Sequence, residues 1–406
     1  MTDVSSPAAA PTTTGDGSPW ITVIQGAAAL AVGMGVGRFV YTPILPLMEH
    51  QAGLSASMGS NLATANYVGY FIGALVGIFF PAVARSRAAL RLSLAVVVLT
   101  LALMPLTRDA DAWLALRLVA GIASAQLFVI ASSALLARLH REAQHLVGWG
   151  FGGVGLGIAL SGVLVLALQS TSTWRAAWWG AAALAAVLSV AAWSLNPGAA
   201  GQATIVRPQG GLPRTHRWFA ALLASYTLEG VGYIIAGTFL VAAINQNSPG
   251  WLGSSAWVLV GLAAMPAPAL WAYLSNRHSR STLLLVALLI QVVGIALPSL
   301  SAGIAPALIS AVLFGNTFIA IAALSIAIGA HLQFPRSVAL LTAGYSIGQI
   351  LGPLVVKPLL PDGYHDALLV GAGIVAAAAV AAAALRVRFP HRVGAVLEPR
   401  EMARPS

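Results

Sequence analysis

The chain has 406 residues, of which 58% are hydrophobic and only 8% are charged; its net charge is +10 and it contains no cysteine. Soluble domains usually carry about a quarter charged residues, so this composition excludes an ordinary soluble fold and predicts a protein that lies within a lipid bilayer. Disulfides, thiolate metal sites and cysteine nucleophiles are excluded too. The basic residues are scattered singly between apolar segments, which argues against nucleic-acid binding.

Residues 1–19 form a polar, Pro-rich segment that has no Lys or Arg and no apolar core. It lacks the features of a signal peptide, and we expect a disordered cytoplasmic tail. Beyond it, apolar runs of about 20 residues alternate with charged or Pro/Gly-rich breaks, which predicts about twelve membrane-spanning helices. The predicted spans are 20–47, 62–84, 90–106, 113–137, 145–168, 174–195, 217–244, 254–274, 282–300, 304–330, 338–359 and 367–387.

The segment 196–216 is rich in Gly, Pro and Gln and is the only long linker that the pattern predicts. It separates an N-terminal six-helix half, residues 20–195, from a C-terminal six-helix half, residues 217–388. The last residues, 389–406, are predicted to form a second cytoplasmic tail.

Most of the 21 Lys and Arg residues follow even-numbered spans or lie in the C-terminal tail. Positive charge collects in cytoplasmic loops, so both termini and the linker are predicted in the cytoplasm, with the helices in a bacterial inner membrane. Arg108, Arg175 and Lys357 fall toward the outside. Only Arg38 and Arg117 fall more than three residues inside a predicted span.

An internal repeat appears when the sequence is shifted by about 195 residues. Because six spans separate the two copies, both have the same orientation in the membrane. The pattern predicts an all-α membrane protein of twelve helices, arranged as two parallel six-helix repeats with a solute site between them. The shift places Gly121 beside Gly315, and Gly148 and Gly152 on Gly344 and Gly348.

Two motifs, one in a loop and one in a helix, resemble those of the major facilitator superfamily. Residues 272–280, AYLSNRHSR, are similar to its G-x-L-x-D-R-x-G-R loop, and residues 116–121, LRLVAG, to its fourth-helix R-x-x-x-G motif. Residues 33–46, GMGVGRFVYTPILP, resemble more specifically the bacterial YbfB/YjiJ-type branch. The resemblance covers about residues 20–388, and it implies gating loops that contain Arg85, Asn276, Arg277 and Arg280.

Glu229 is the only one of the eleven acidic residues that lies deep in a predicted span. It is about 12 residues into the seventh span, roughly 18 Å along the helix and close to mid-membrane. Ionisable residues at this depth are costly and usually functional. We therefore expect a proton-coupling site or a site for a substrate cation, and a buried structural pair or hydrogen bond is the alternative. Tyr226 and Tyr233 share its helix face.

Arg38 lies well inside the first span, with Tyr41 and Thr42 on the same side of the helix. Its guanidinium suits a carboxylate or phosphate on a substrate. A salt bridge to Glu229 in one conformation and a snorkelling structural role are the alternatives. Arg117 lies near the outer end of the fourth span, where its motif implies a coupling role and snorkelling is the alternative.

Isolated polar residues inside apolar helices complete the predicted substrate site. Each is either a ligand contact or a hydrogen bond between helices. With Arg38, the predicted substrate-binding residues are Tyr41, Asn66, Tyr70, Gln126, Tyr233, Asn316, Tyr345 and Gln349.

The resemblance implies a secondary active transporter that moves a small solute, an organic anion or amphipathic compound, by alternating access with proton coupling. A passive facilitator is the alternative. We expect a monomer in the bilayer. We also expect no cofactor or metal: the chain has no P-loop for a nucleotide and no cysteine to bind a metal. An intramembrane enzyme would need a nucleophile, base or metal cluster, but all eight His lie in loops or near span ends. A sensor would need a soluble output domain.

Overall fold

The structure, a computed structural model, describes residues 18–139, 146–170, 172–197, 215–246, 248, 250–387 and 389. These residues form helices and no strand. Eleven helices are long and apolar enough to cross a membrane, and the count is twelve if the bent pair Gly250–Ala264 and Ala267–Leu274 forms one span. The predicted all-α membrane fold is therefore confirmed. Most of the predicted linker and most of each predicted tail lie outside the described residues.

Every predicted span coincides with one helix or with a pair of helices. Side-chain caps fix several of the helix starts: Ser55, Ser86, Thr173 and Ser279 each accept a hydrogen bond from a backbone N–H three residues on. The first half contains α1 Pro19–Leu30, α2 Tyr41–Ala52, α3 Ala56–Phe79, α4 Pro81–Ala84, α5 Arg87–Leu103, α6 Ala110–Leu139, α7 Val147–Phe151, α8 Gly153–Leu168 and α9 Trp174–Ala192. The second half contains α10 His216–Gln246, α11 Gly250–Ala264, α12 Ala267–Leu274, α13 Arg280–Leu300, α14 Ile304–His331, α15 Ser337–Val356 and α16 His365–Arg386.

The internal repeat is visible as one helix contact that occurs twice. A Cβ on Gly121 of α6 would lie 2.1 Å from the carbonyl oxygen of Asn66 in α3, and a Cβ on Gly315 of α14 would lie 2.3 Å from that of Val260 in α11. Gly315 lies 194 positions after Gly121, and Val260 lies 194 positions after Asn66 (315 − 121 and 260 − 66). Glycine is needed at both places because the helices approach to backbone contact.

The first span is broken between α1 and α2. Residues Ala31–Val36 form a π-helical turn, in which Gly37 N–H donates to the Val32 carbonyl at 2.8 Å. Phe39 N–H likewise donates five residues back, to Met34, at 3.1 Å. Such turns leave nearby carbonyls without their usual helical donor. The break therefore exposes backbone acceptors at the level of Arg38.

The two halves are tied together at one end of the bundle, the end at which α2 leads into α3 and α15 leads toward α16. We call it the distal end, since the described chain ends lie at the other. Thr42 donates to the Gly237 carbonyl at 2.5 Å, and this pair is separated by 195 residues, the repeat shift, so the bond lies near the axis that relates the halves. The other bonds between the halves at this end are Ser60 to the Pro353 carbonyl, Tyr67 with Thr238, Lys357 to Asn61, Ser254 to Gln169 and Tyr364 to Glu49.

Tyr364 lies between α15 and α16, outside the membrane-spanning segments. Its hydroxyl donates to the Glu49 carboxylate across the two halves. Burial, followed by the neighbouring Glu49 charge, raises the pKa of Tyr364. The hydroxyl therefore stays protonated and can donate at any physiological pH.

Candidate functional site

Arg38 is buried at the middle of the bundle, with 2% of its surface exposed. Its guanidinium carbon lies 4.5 Å from the ring centre of Tyr70, 4.7 Å from that of Tyr67 and 5.2 Å from that of Phe39. Aromatic faces attract a cation at such distances, and more strongly where water is excluded. We call Arg38 with these three rings and Gln349 the arginine cluster.

Only part of the Arg38 guanidinium is hydrogen-bonded. Nη2 donates to the Gln349 side-chain oxygen at 2.5 Å, which joins the first half to α15 of the second. Nε and Nη1 are buried and have no hydrogen-bond partner. Unpaired donors on a buried charge are costly, since each has lost its hydration without replacement. No described residue supplies an acceptor to these two nitrogens, so the cluster can donate further hydrogen bonds.

Arg117 of α6 reaches the broken part of the first span. Its Nη1 and Nη2 donate to the carbonyls of Gly37 and Arg38, each at 3.3 Å, and its guanidinium carbon lies 4.9 Å from the Tyr41 ring. These are carbonyls beside the π-helical turn. Arg117 thus fixes the backbone from which the Arg38 side chain projects, and its charge is neutralised by main-chain dipoles.

A layer of aromatic rings lies on the second half, facing the arginine cluster. Tyr226 stacks on Tyr345 with ring centres 4.2 Å apart, Tyr345 on Tyr233 at 5.3 Å, and Tyr233 on Phe318 at 6.1 Å. The angles between successive rings are 12°, 7° and 5°, so the rings are nearly parallel. We call these four residues the tyrosine stack. Arg38 lies within electrostatic range of Tyr233, and Tyr70 within range of Tyr226.

Glu229 lies inside the second half and is fully buried. It faces the side-chain amide of Gln291 in α13, but both carboxylate oxygens and both Gln291 amide atoms lack a hydrogen bond of normal geometry. Glu229 also lies within electrostatic range of Tyr226, Tyr233 and Tyr345. It forms no ion pair with Arg38, which donates to Gln349 instead.

The structure brings together Arg38, Tyr70, Tyr233, Tyr345 and Gln349 from the predicted substrate site. The remaining predicted residues lie in contacts between helices. Tyr41 donates to the Gly59 carbonyl, Asn66 to the Arg117 carbonyl, Gln126 to the Gly73 carbonyl, and Asn316 accepts from Trp271 through both its main-chain and side-chain oxygens. The predicted gating residues Arg85, Asn276, Arg277 and Arg280 are exposed at the end opposite the distal end.

Four residues of the site were not predicted from the sequence. Tyr67 is three residues before Tyr70, on the same face of α3, so its neighbour could have revealed it. Phe39 and Phe318 carry no signal that distinguishes them from other apolar residues. Gln291 is an isolated amide in a predicted apolar span, the same signal by which the other polar residues were chosen.

These observations define a class of protein. Among the described residues, eleven or twelve apolar spans in two repeated halves, with polar and charged groups buried where the halves meet, form a multi-pass membrane transporter rather than an enzyme. A family model described as uncharacterised MFS-type transporter YbfB matches residues 30–385. The chain belongs to this family of the major facilitator superfamily.

Solved structures agree in fold. The nucleoside transporter NupG superimposes with a TM-score of 0.65, at 16% identity, over 90% of this chain and 98% of that one. Its D323A mutant gives a TM-score of 0.67, at 15% identity, over 90% and 99%. At this identity the likeness shows the fold alone. No curated protein matches the chain by sequence.

Proposed function

We propose that this transporter moves a small organic anion across the bacterial inner membrane by alternating access, coupled to protons. The observation that carries the proposal is the buried Arg38 guanidinium with two unpaired nitrogens. No acidic side chain among the described residues pairs with it. A substrate anion would supply both the missing charge and the missing acceptors.

The position of Arg38 supports a transport site. It projects from the broken first span and bonds to Gln349 of the other half, so it lies where both halves contribute. A solute held there changes its access when the halves rock about it. The distal bonds, from Thr42 to Gly237 through Tyr364 to Glu49, must break when the site opens toward that end.

The basic loops orient the transporter. Arg85, Arg277 and Arg280 lie at the end opposite the distal end. Basic residues collect on the cytoplasmic side of a membrane, which supports a cytoplasmic location for the end that carries these three residues. The structure is then the conformation closed toward the periplasm. A reporter that is active only in the cytoplasm should be active when it is fused after Ser406. Activity at this position of a reporter that works only in the periplasm would show that the orientation is the opposite one.

Glu229 is the proposed proton carrier. A carboxylate without hydrogen bonds is strongly disfavoured in an apolar interior, and a proton removes that cost. Glu229 lies about one helical turn from Tyr226 and from Tyr233 of the tyrosine stack, and Phe318 of the stack contacts Phe39 of the arginine cluster. Gain or loss of a proton at Glu229 would therefore act on the packing of the face that borders the anion. A passive facilitator of the same fold would not require Glu229 to gain or lose a proton.

Transport by the purified protein in proteoliposomes tests the proposal. Labelled organic anions, matched neutral compounds and uridine, a neutral nucleoside, are offered with and without an imposed pH gradient. We expect anions to enter by protein-dependent flux and to accumulate only with the gradient. Uptake of uridine with no anion flux would instead favour the substrate named for the structural neighbour.

A further inference from the structure

The surroundings of Arg38 restrict the anion further, and this inference rests on the proposed function. Arg38 has two buried donors without a partner among the described residues, whereas Arg117 has only its Nε unpaired. Both Nη atoms of its nearest basic neighbour, Arg117, donate to main-chain carbonyls. Lys357 is at the distal end and donates to Asn61. One guanidinium neutralises one negative charge, so the cluster favours a monoanion, and the planar fork matches a carboxylate.

Gln349 already occupies one donor of Arg38. Its amide oxygen is a neutral acceptor held at 2.5 Å, in the position that a carboxylate oxygen would take. A carboxylate is a stronger acceptor than an amide for a charged donor. Arrival of the anion would therefore displace Gln349, and it would remove a bond between the halves in the same step.

The rings around the site present flat apolar surface. Tyr67 and Tyr70 lie against Arg38 from the first half, and the nearly parallel rings of the tyrosine stack lie on the second. Phe39 of the arginine cluster contacts Phe318 of the tyrosine stack across the two halves, with ring centres 6.2 Å apart. A planar ring attached to the carboxylate can pack between these two aromatic surfaces, whereas a puckered ring cannot stack on them.

We infer that the substrate is an aromatic monocarboxylate, whose carboxylate replaces Gln349 at Nη2 of Arg38 and also binds Nε or Nη1, and whose ring packs between Tyr70 and the tyrosine stack. The charged group gives the site its preference for an anion. The ring gives it a preference among anions. The two preferences depend on different residues and can be separated by experiment.

The test measures dissociation constants for the purified full chain in detergent with three probes of similar size. Benzoate has both the charge and the flat ring, cyclohexanecarboxylate keeps the charge on a puckered ring, and benzamide keeps the flat ring without charge. We expect benzoate to bind most tightly, cyclohexanecarboxylate about 2- to 10-fold more weakly, and benzamide not to bind measurably. Equal binding of benzamide and benzoate would overturn the inference.

Variants separate the two parts of the claim. Tyr70→Leu should bring the affinity for benzoate down to that for cyclohexanecarboxylate, while Arg38→Ala should abolish binding of both acids. If wild-type protein binds the two acids equally and Arg38→Ala loses both, the aromatic preference is wrong and the anion site stands. If neither acid binds, the aromatic monocarboxylate is wrong, and if Arg38→Ala binds both acids unchanged, the proposed anion site at Arg38 is wrong as well. Size-exclusion and melting profiles confirm that each variant is folded.

Discussion

Proton-driven accumulation of the substrate should disappear in a Glu229→Gln variant, while exchange of substrate down its own gradient continues. Glutamine resembles the protonated carboxyl in shape but cannot change charge. Gradient-driven pumping requires a group whose protonation differs between conformations, and exchange does not. The measurement compares accumulation under an imposed pH gradient with counterflow in proteoliposomes of the same preparation.

Asp111→Asn is the matched control, because Asp111 is an exposed acid in the first turn of α6. It should leave both activities at the wild-type level. Accumulation that survives in Glu229→Gln would show that the proton is carried elsewhere or that the protein is a passive facilitator. If both activities vanish in a folded variant, the double change Arg38→Gln with Glu229→Gln distinguishes a structural pair from a ligand, since a pair tolerates loss of both charges better than loss of one.

A Gln349→Glu variant should bind the substrate anion about 10- to 100-fold more weakly than the wild type. The new carboxylate would lie where the Gln349 oxygen now accepts from Arg38 Nη2, and it would form an internal ion pair in place of a neutral hydrogen bond. That pair competes with the substrate for the guanidinium and strengthens the contact between the halves. A factor of ten corresponds to about 1.4 kcal/mol, within the range of buried charge pairs.

Gln349→Met is the control for this variant, because methionine has similar length and removes the acceptor without adding charge. It should bind the anion at least as well as the wild type, since Arg38 Nη2 then also becomes free. Dissociation constants from calorimetry check both variants. Unchanged affinity in a folded Gln349→Glu protein would mean that the substrate does not compete for this side of Arg38.

The membrane fold was predictable because its signals are local. Apolar length defined the spans, and the repeat shift that placed Gly121 beside Gly315 reappears as the same backbone contact in both halves. The break in the first span was harder to predict from the sequence. Glycines and prolines mark residues 33–46 as irregular, but the π-helical turn depends on Arg117, which supplies donors to the carbonyls of Gly37 and Arg38 from another helix.

Residues of the candidate site could be selected by their type, but their contacts with one another could not be predicted from the sequence. Arg38 and Glu229 could be selected from the sequence because charged residues are rare in apolar helices. The sequence could not show that Arg38 donates to Gln349, 311 positions away, or that Glu229 faces Gln291. It likewise could not separate Tyr233 of the tyrosine stack from Tyr41, whose hydroxyl binds the Gly59 carbonyl inside the first half. These distinctions depend on the packing of distant helices.

Counterflow of an organic anion in proteoliposomes that contain wild-type, Arg38→Lys or Arg38→Ala protein tests the central claim most directly. Lysine keeps the charge but loses the planar fork and its several donors. We predict a large loss of anion exchange in Arg38→Lys and its abolition in Arg38→Ala, with all three proteins inserted and folded alike. Wild-type exchange rates and affinity in Arg38→Ala would contradict the claim that this guanidinium binds the transported solute.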